Sequence, residues 1–560
     1  MASSDDAPAP PAAHDAPAPP AAPAPPAKAQ APPDMGLGMG RAMLAMALFD
    51  KGKKAYAALD EVGPVGSPER EAAKERVHEQ IAAECLTLAK QNGGIYNKAA
   101  QFVASLQGGA GDAGIPKAYV EALSVLTDKA PFRPFEDMDA CFREEFGVSS
   151  KEAFASIDET PVAAASLAQV HRAKTKDGRD VAVKMQYPWL RHQLASDFAV
   201  FAMFGQQIKP GGFDLSWLVR DFQISLTAEL DFEGEANNAE RCASNLRRRR
   251  RRDAVAPSVV REWTSKRVLT TEFIPDMTRC NDPKALRDAG FDPARVGATL
   301  SSVFSEMLFV DGFVHGDPHA GNVYVRERDA GAASSTTASS TTDKDPQIVI
   351  LDHGLYHELS DDLRGELCAL VSACVGRDAV RARALSERFA GEALHRFFPL
   401  ILSPWFVFGG DVTAGDVRAA SRGALPPGVK LEDIGRFLVS LHDEKGTNML
   451  GVLHSLGYTK GILNDIRFPE ADRLRAYAKY AAVGATKSAP DSIATRVATI
   501  KASFDVDVLS WFIALLAPLA ALLFGAPGGR TILRAATVLV APTAHALAAW
   551  SALTRTARGR

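Results

Sequence analysis

The first long stretch of the chain has apolar residues at helical spacing. They follow one another at intervals of three or four: Val77, Ile81, Cys85 and Leu88. This spacing places them on one face of an α-helix. The Ser-Pro-Glu string at residues 67–69 has the order of a helix start, with a capping side chain, a proline in the first turn and then an acid. Gly93 and Gly94 predict a break, and a second helix is expected to begin near Ile95.

The pattern changes near Thr160, where short extended runs begin. Residues 162–174 and 181–187 predict two strands joined by an Asp-Gly turn. Residues 217–241 predict a helix, and residues 268–274 predict a further buried strand. Beyond them the chain is mostly helical, apart from short strands near residues 323 and 349. A small β-rich part followed by a larger α-rich part predicts a bilobal α+β fold.

Two stretches are predicted to lie outside the folded core. Residues 1–35 are rich in alanine and proline and bury too little apolar surface to become ordered, so a flexible tail is expected. Asp5 and Asp6 come early and the first arginine is Arg41, which makes a mitochondrial leader a poor match and leaves a plastid transit peptide as an alternative. Residues 329–346, rich in serine and threonine, are expected to form a disordered surface insertion.

Two apolar stretches occur late in the sequence, at residues 508–524 and 532–550. The first contains Pro518 and would span about 26 Å as a helix, slightly less than the roughly 30 Å of a hydrocarbon core. Arg534 lies near the start of the second. These stretches predict either a membrane hairpin or two helices that pack on the rest of the protein.

Composition narrows the classes of function only slightly. The 560 residues exceed the usual size of one domain, and 46% of them are hydrophobic, enough for a large core. A formal net charge of −3 gives no indication of nucleic-acid binding. The six cysteines form no Cys-x-x-Cys pair, so scattered reduced thiols are expected. Six consecutive arginines, at residues 247–252, are expected to form a solvated loop, with contact to anionic lipid as the functional alternative.

The most informative string is Val-His-Gly-Asp-Pro-His-Ala-Gly-Asn, at residues 314–322. Asp317 stands where a kinase catalytic loop has the acid that orients a nucleophile, and Asn322 follows where it can hold a metal. Asp352, after an apolar run, has the place of a kinase's main Mg²⁺ ligand, and Lys184 ends a Val-Ala-Val-Lys run where it can contact phosphates. Each motif alone commonly occurs in proteins without a catalytic or binding role. Their joint order predicts a site for ATP or ADP with Mg²⁺.

These motifs resemble those of the UbiB-type, or aarF-domain, atypical kinases over about residues 93–400. The similarity is greatest to the branch that has Leu-Asp-His-Gly where others have Leu-Asp-Phe-Gly. The resemblance implies a bilobal protein-kinase-like fold with an N-terminal helical extension and C-terminal apolar helices. His319 takes the place of the catalytic-loop lysine of ordinary kinases, which weakens the case for ordinary protein phosphorylation.

The resemblance also implies which residues contact the nucleotide. An alanine-rich loop replaces the usual glycine-rich loop, and it should be stiffer because alanine adopts positive φ less easily. An acid pairs with the strand lysine, and a linker contacts adenine. The implied residues are Ala163, Ala164, Ala165, Ser166, Lys184, Glu235, Glu272, Phe273 and Ile274.

A family-specific helix with a Lys-x-Gly-Gln signature maps onto Lys98 and Gln101. The resemblance implies that this helix covers the cleft, with both side chains facing Glu229 and Asp231. This sequence departs from the signature at Ala100, where the family has glycine. The alternative interpretation of Lys98 is a solvated lysine on a helix surface.

Together these expectations divide the chain into five parts. They are a disordered tail at 1–35, a helical extension at 36–158, a kinase-like N-lobe at 159–275, a kinase-like C-lobe at 276–480 that carries the insertion, and C-terminal apolar helices at 481–560.

Two functions of different classes follow. The first is an atypical kinase or ATPase dependent on Mg-ATP, with Asp317 and Lys184 as catalytic residues and Asn322 and Asp352 as metal ligands. The resemblance links it to isoprenoid-quinone or lipid metabolism in a mitochondrion or plastid. The second is a nucleotide-binding pseudokinase that acts as a switch or scaffold on a membrane-associated complex. The expected partners are nucleotide and either membrane lipid or quinone-pathway proteins, without nucleic acid.

Overall fold

The structure is a computed structural model that describes residues 37–64, 66–105, 116–126, 133–207, 216–328, 344–403, 406, 449–486 and 492–523. The predicted tail at 1–35, most of the predicted insertion (329–343) and the second apolar stretch at 532–550 lie outside these ranges.

Within the described residues, seven α-helices form or flank the N-terminal extension: α1 (Leu37–Ala57), α2 (Leu59–Val62), α3 (Pro68–Asn92), α4 (Gly94–Ser105), α5 (Lys117–Leu123), α6 (Phe135–Phe146) and α7 (Ser150–Ala153). Helix α3 begins as predicted, because the Ser67 side chain accepts a hydrogen bond from the backbone N–H of Arg70 at 3.3 Å. Gly93 and Gly94 have φ of 61° and 48°, a conformation that ends α3 and lets α4 begin in a new direction.

Eleven strands occur in the described ranges: β1 (Ser156–Ile157), β2 (Ala163–Ala164), β3 (Ala168–Lys174), β4 (Asp180–Gln186), β5 (Ala254–Val255), β6 (Val268–Glu272), β7 (Thr278–Arg279), β8 (Phe313–His315), β9 (Val323–Glu327), β10 (Pro346–Ile350) and β11 (Tyr356–Glu358). The N-lobe sheet has the order β1-β3-β4-β6, with β2 also paired to β3, and all of its pairs are antiparallel.

The prediction of one strand over 162–174 was wrong. A tight turn separates β2 from β3, and the backbone N–H of Ala165 donates to the carbonyl of Ala168 at 2.8 Å. Ala163 then pairs with Val170 across the resulting hairpin. Alternation of apolar and polar residues did not reveal the turn, because small alanines are compatible with strand and turn alike.

Three helices follow the first part of this sheet: α8 (Leu190–Gln207), α9 (Ser216–Glu229) and α10 (Phe232–Arg248). The prediction of one helix over 217–241 was wrong, because the chain turns at residues 230–231. Asp231 has φ −102° and ψ 88°, which is not a helical conformation. It immediately precedes α10, whose first turn carries Glu233 and Glu235. Acids in a first turn interact favourably with the positive end of the new helix.

The C-lobe contains a second sheet of order β5-β10-β9-β7 and a separate β8–β11 pair. The strands expected near residues 323 and 349 are therefore confirmed as β9 and β10. Strand β5 pairs in parallel with β10. The catalytic-loop string connects β8 to β9, and Asp352 follows β10, so these strands fix the positions of both motifs.

The remaining helices are α11 (Pro283–Asp288), α12 (Pro293–Glu306), a π-helical turn (Met307–Asp311), α13 (Asp361–Val375), α14 (Ala379–Leu394), α15 (Phe398–Leu402), α16 (Met449–Asp465), α17 (Glu470–Ala485) and α18 (Ile493–Leu523). Helix α17 packs against α12, α13 and α18. A side chain on Gly484 would lie 2.0 Å from the carbonyl oxygen of Phe309, so only glycine permits this close approach. All six cysteines are free thiols, as expected.

Helix α18 contains the described part of the first apolar stretch. Within the described residues, none of the helices combines the length and apolar character that crossing a membrane requires.

The prediction of a solvated loop at 247–252 holds only in part: residues 249–252 lie outside the helix and four of the six arginines are exposed, but the run is not wholly loop or wholly solvated. Helix α10 continues to Arg248, and Arg248 and Arg249 both contact Asp311. The Arg251 side chain is 8% exposed and bonds to residues on several elements, namely Asp253, Ser302, Glu306 and Tyr480. Half of the arginine run therefore stabilises the C-lobe, because acids distant in sequence converge on it.

Candidate functional site

Lys184 is directed into the cleft by the pleat of β4. Val181, Val183 and Met185 are fully buried, so the alternation of side chains places Lys184 on the opposite face. Its Nζ lies 2.9 and 2.8 Å from the two carboxylate oxygens of Glu235 on α10. The ion pair expected between these two residues is therefore present.

The surroundings of Lys184 keep it charged. Its Nζ is 3.5 Å from Asp352 Oδ2 and 4.8 Å from the centre of the Phe232 ring. Burial would lower the pKa of Lys184, but Asp352 and Glu235 outweigh that effect and hold the pKa above its ordinary value. Burial raises the pKa of Glu235 to about 7, with Lys184 opposing the rise.

The catalytic-loop string is held in shape by hydrogen bonds to its own backbone. His315 Nε2 lies 3.2 Å from the Leu351 carbonyl oxygen, and His315 Nδ1 accepts a hydrogen bond from the backbone N–H of Asp317 at 3.1 Å. Since a carbonyl can only accept, Nε2 carries the ring proton. The Asn322 side-chain amide donates to the Asp317 carbonyl at 3.0 Å, which leaves the Asn322 Oδ1 available as a ligand. The two residues predicted for this loop are thus fixed relative to each other.

Asp352 follows β10 in a left-handed backbone conformation with φ 54°. Such a conformation costs about 1 kcal/mol for a residue with a side chain, although aspartate tolerates it better than most. The backbone N–H of Gly354 donates to Asp352 Oδ1 at 3.3 Å, which orients the carboxylate. Burial would raise the pKa of Asp352, but Lys184 and Lys98 hold it well below its usual range. The carboxylate is therefore ionised, and 44% of the side chain is exposed to the cleft.

The Lys98 side chain reaches the cleft from α4. Its Nζ lies 2.7 Å from Glu229 Oε2, and both side chains are about one-fifth exposed. Burial would lower the pKa of Lys98, but Glu229, Asp317 and Asp352 reverse the effect and raise it. The solvated alternative for Lys98 is therefore wrong. Ala100 is buried against α3 and α5, and Lys98 on the same helix nevertheless reaches the cleft.

The other two residues of this predicted contact lie elsewhere. The Gln101 side-chain amide donates to the Leu126 carbonyl at 2.8 Å, so the expectation that it faces Glu229 and Asp231 was wrong. Asp231 is exposed at the start of α10, beside Gly234. The reason is the break between α9 and α10, which separates Asp231 from Glu229.

His319 lies at the mouth of the cleft. Its Nδ1 accepts the backbone N–H of Gly321 at 2.9 Å, so in the neutral ring Nε2 carries the proton. Nε2 is 3.7 Å from Asp317 Oδ2, and 42% of the ring is exposed. His319 therefore stands beside the acid of the catalytic loop.

The alanine-rich loop and the linker lie at the edges of the N-lobe sheet. The hydroxyl of Tyr187 donates to the Ala165 carbonyl at 3.1 Å, and its backbone N–H donates to Leu167. These bonds anchor the loop at residues 163–166 to the end of β4. The linker at residues 272–274 continues β6, and the backbone N–H of Phe273 donates to the Asp180 carbonyl at 3.1 Å.

Several residues beneath the cleft were not identified from the sequence. His353 Nδ1 lies 2.9 Å from the Tyr356 hydroxyl, and its Nε2 lies 3.0 Å from the Ile350 carbonyl. The Asn238 amide of α10 donates to the His353 carbonyl at 3.0 Å and thereby connects α10 to the Asp352 turn. The only sequence signal was the adjacency of His315 and His353 to the two predicted aspartates.

The charges in the cleft do not cancel. Four carboxylates (Glu229, Glu235, Asp317 and Asp352) interact with two lysines (Lys98 and Lys184). With all six groups ionised the balance is −2. No cluster of three or more potential metal-ligating side chains occurs among the described residues. Asp352 and Asn322 offer two oxygen ligands, which suits a hard cation that takes its other ligands from phosphate and water.

Comparison with known proteins identifies the family of this sequence. The ABC1 atypical kinase-like domain matches residues 125–386. The probable serine/threonine-protein kinase abkD of Dictyostelium discoideum is 32% identical over 73% of this chain and 56% of that protein. The AarF domain-containing protein kinase 1 of Xenopus tropicalis is 34% identical over 66% of this chain and 67% of that protein. A putative ABC1 protein of Arabidopsis thaliana is 37% identical over 61% of this chain and 63% of that protein.

The chain thus spans between 56% and 67% of the length of these relatives. The solved complex of Rv3197 with erythromycin from Mycobacterium tuberculosis is 21% identical and covers 71% of this chain and 98% of that one. Its TM-score of 0.38 is too low to support an argument about arrangement. The domain match and the relatives confirm the resemblance that the motifs indicated and the kinase-like α+β fold: the chain belongs to the ABC1, or AarF-domain, family of atypical kinase-like proteins.

Proposed function

We propose that the protein is a Mg-ATP-dependent phosphotransferase of the atypical kinase or ATPase type. The observation that carries the proposal is the group of four carboxylates and two lysines between the lobes, with a balance of −2. A magnesium ion would offset this negative charge, and the two lysines would offset part of the charge of the phosphates that the ion carries. A kinase-like family implies nucleotide binding, and the donor set described above fits a cation that shares its coordination with phosphate.

Each cleft residue has a distinct part in this proposal. Lys184, held by Glu235, contacts the nucleotide phosphates. Asp317 orients the attacking hydroxyl or water and accepts its proton. Asn322 and Asp352 would hold the metal, which supplies charge neutralisation to the phosphates when bound.

The alternative is a pseudokinase that binds nucleotide and acts as a switch or scaffold. The observation that favours it is the Lys98–Glu229 ion pair, which brings a helix of the extension against the catalytic acids. A helix in that place would exclude a bulky acceptor while leaving room for water or a small molecule. His319, in place of a lysine, also favours altered phosphotransfer.

Turnover by the purified full chain distinguishes these alternatives. The measurement is release or transfer of the γ-phosphate of labelled ATP, with Mg²⁺ and with EDTA, in the presence and absence of lipid vesicles. Wild type should turn over only with Mg²⁺, and Asp317→Asn should reduce the rate by at least about a hundredfold. Asp288→Asn, on the distant surface of α11, is the matched control. Nucleotide binding without turnover under all conditions would establish the pseudokinase instead.

The metabolic pathway is inferred from the family resemblance alone. We propose that the phosphoryl chemistry supports isoprenoid-quinone or lipid metabolism in a mitochondrion or plastid. Loss of the chain in a host cell, followed by measurement of quinone and phospholipid content, tests that assignment. An unchanged lipid and quinone profile would contradict the pathway assignment but not the proposed phosphoryl chemistry.

A further inference from the structure

His319 is held in one orientation at the mouth of the cleft. Its Nδ1 accepts the backbone N–H of Gly321 at 2.9 Å, and its carbonyl accepts the backbone N–H of Asn322 at 2.9 Å. The ring packs directly over Gly321, where a side chain would lie 2.7 Å from His319 Cε1. The Tyr458 ring, on α16, meets the imidazole at an angle of 68°, with 6.0 Å between the ring centres. These contacts come from the loop itself and from a helix distant in sequence, and together they fix the direction of Nε2.

This orientation leaves a hydrogen-bond donor beside the acid of the catalytic loop. Because Nδ1 accepts from Gly321, Nε2 carries the proton of the neutral ring. Nε2 lies 3.7 Å from Asp317 Oδ2, which is too far for a hydrogen bond, so the carboxylate does not use this N–H. Both side chains are partly exposed, and the N–H can therefore donate to a molecule in the cleft.

The two lysines of the cleft are placed differently. Lys184 donates to Glu235, and Lys98 is paired with Glu229. The His319 N–H makes no such bond among the cleft residues that the structure describes, and it lies next to the acid proposed to orient the nucleophile. A donor that is already oriented stabilises charge that develops in a transition state without a cost of reorganisation.

We propose that His319 Nε2 donates a hydrogen bond to an oxygen of the transferring phosphoryl group, which makes His319 a catalytic residue. This inference rests on the proposed phosphotransferase function. The oxygen of the attacking hydroxyl or water forms a bond to the γ-phosphorus, while the bond from that phosphorus to the β–γ bridging oxygen breaks. The bridging oxygen keeps the electron pair in ADP, and Asp317 takes the proton of the nucleophile. His319 keeps its proton throughout and stabilises the negative charge on the phosphoryl oxygens.

Two substitutions that each keep one half of the imidazole test the proposal. In His319→Asn the side-chain oxygen can replace Nδ1 as the acceptor from Gly321, but no donor reaches the position of Nε2. In His319→Gln the longer side chain places an amide N–H near that position. In transfer of the γ-phosphate of labelled ATP, His319→Asn should reduce kcat at least about tenfold, and His319→Gln should restore most of that loss. A wild-type kcat in His319→Asn would overturn the proposal, and so would an equal loss in both variants.

Nucleotide affinity distinguishes failure of this inference from failure of the proposed function. Calorimetry with Mg²⁺ compares a non-hydrolysable ATP analogue with ADP. His319→Asn should weaken binding of the analogue at least about threefold, the contribution of one hydrogen bond, and should leave ADP affinity unchanged because ADP lacks the γ-phosphoryl group. An equal loss for both nucleotides would show that His319 only maintains the loop and would overturn the proposal. A selective loss for the analogue, in a wild-type protein without turnover, would contradict the phosphotransferase and support the contact of His319 with the γ-phosphoryl group.

Discussion

Lys98 of α4 lies 2.7 Å from Glu229 of α9, and this ion pair joins the N-terminal extension to the cleft between the lobes. The lysine also interacts with Asp317 and Asp352, the two aspartates of the predicted chemistry. The ion pair therefore brings together, at the cleft, two helices that are distant in sequence.

Substituting Lys98 by alanine should change how the cleft selects nucleotides. The substitution leaves the Glu229 carboxylate without its ammonium partner and adds one net negative charge near Asp352. We expect the ratio of ATP to ADP affinity to change by about threefold or more, and labelling of the protein by γ-phosphate to increase. Calorimetry with both nucleotides and autoradiography measure these effects. Lys90→Ala, on the exposed end of α3, is the control, and identical results for both variants would refute a covering role for α4.

Binding of Mg-nucleotide should require Asp352. Asp352→Asn keeps the size of the side chain and removes the ionised carboxylate that faces Lys184. The midpoint shift caused by Mg-ATP in a thermal titration should fall to a small fraction of the wild-type shift, because the metal loses its charged protein ligand. Asp288→Asn should behave as wild type. A full shift in Asp352→Asn, with the fold intact, would exclude this residue as the metal ligand.

The contribution of His353 and His357 to stability should decrease as the pH falls below neutrality, whereas Glu235, whose pKa burial raises to about 7, contributes with the opposite sign. Burial lowers the pKa of His353 to about 3 and that of His357 to about 4, whereas the unfolded chain protonates histidine near 6.5. Below pH 6.5 the unfolded state therefore binds more protons, and the free energy of unfolding falls by about 2 kcal/mol per residue at pH 5. Urea denaturation at pH 7 and pH 5 measures the free energy of unfolding, and comparison with a histidine variant isolates the histidine contribution.

His357→Gln should remove one of these two contributions. Between pH 7 and pH 5, the free energy of unfolding of this variant should fall by about 2 kcal/mol less than that of wild type. Equal pH dependence in His357→Gln and wild type would show that His357 is not held neutral by burial.

Two neighbouring arginines should differ sharply in their effect on stability. Arg251→Met removes the partner of Glu306 and Asp253 at a position that is 8% exposed. It should lower the free energy of unfolding by about 3–5 kcal/mol. Arg252→Met, at an exposed position in the same run, should change the free energy of unfolding by less than about 0.5 kcal/mol. Chemical denaturation of both variants provides the comparison. Similar costs would mean that the contacts of Arg251 do not stabilise the C-lobe.

The order of the chemical motifs and the nature of the two lobes could be predicted from local patterns. Lys184 ends a Val-Ala-Val-Lys run that was predicted to be a strand, and it was expected to contact phosphates. Asp317, Asn322 and Asp352 stand at loop positions after apolar runs, and their joint order and spacing predicted them as site residues. These features depend on a few consecutive residues, and for that reason the sequence reveals them.

The breaks within apparently continuous patterns could not be predicted in the same way. Helices α9 and α10 have compatible periodicity, and only the conformation of Asp231 separates them. The turn between β2 and β3 likewise interrupts a stretch that alternation describes as a single strand. Both interruptions result from packing of the flanking elements, which local propensity does not include.

By itself, the amino-acid sequence indicated the family, through its motifs, and the α+β lobes, and it predicted the residues of the proposed chemistry; the choice of Glu235 as the partner of Lys184 was implied only by the resemblance. The tertiary structure alone decided that Lys98 meets Glu229 while Gln101 turns to Leu126, and that Arg251 is buried while Arg252 is exposed. The physical reason is that motif positions follow from short-range spacing, whereas the partner of a charged side chain is set by which distant acid the fold brings within reach.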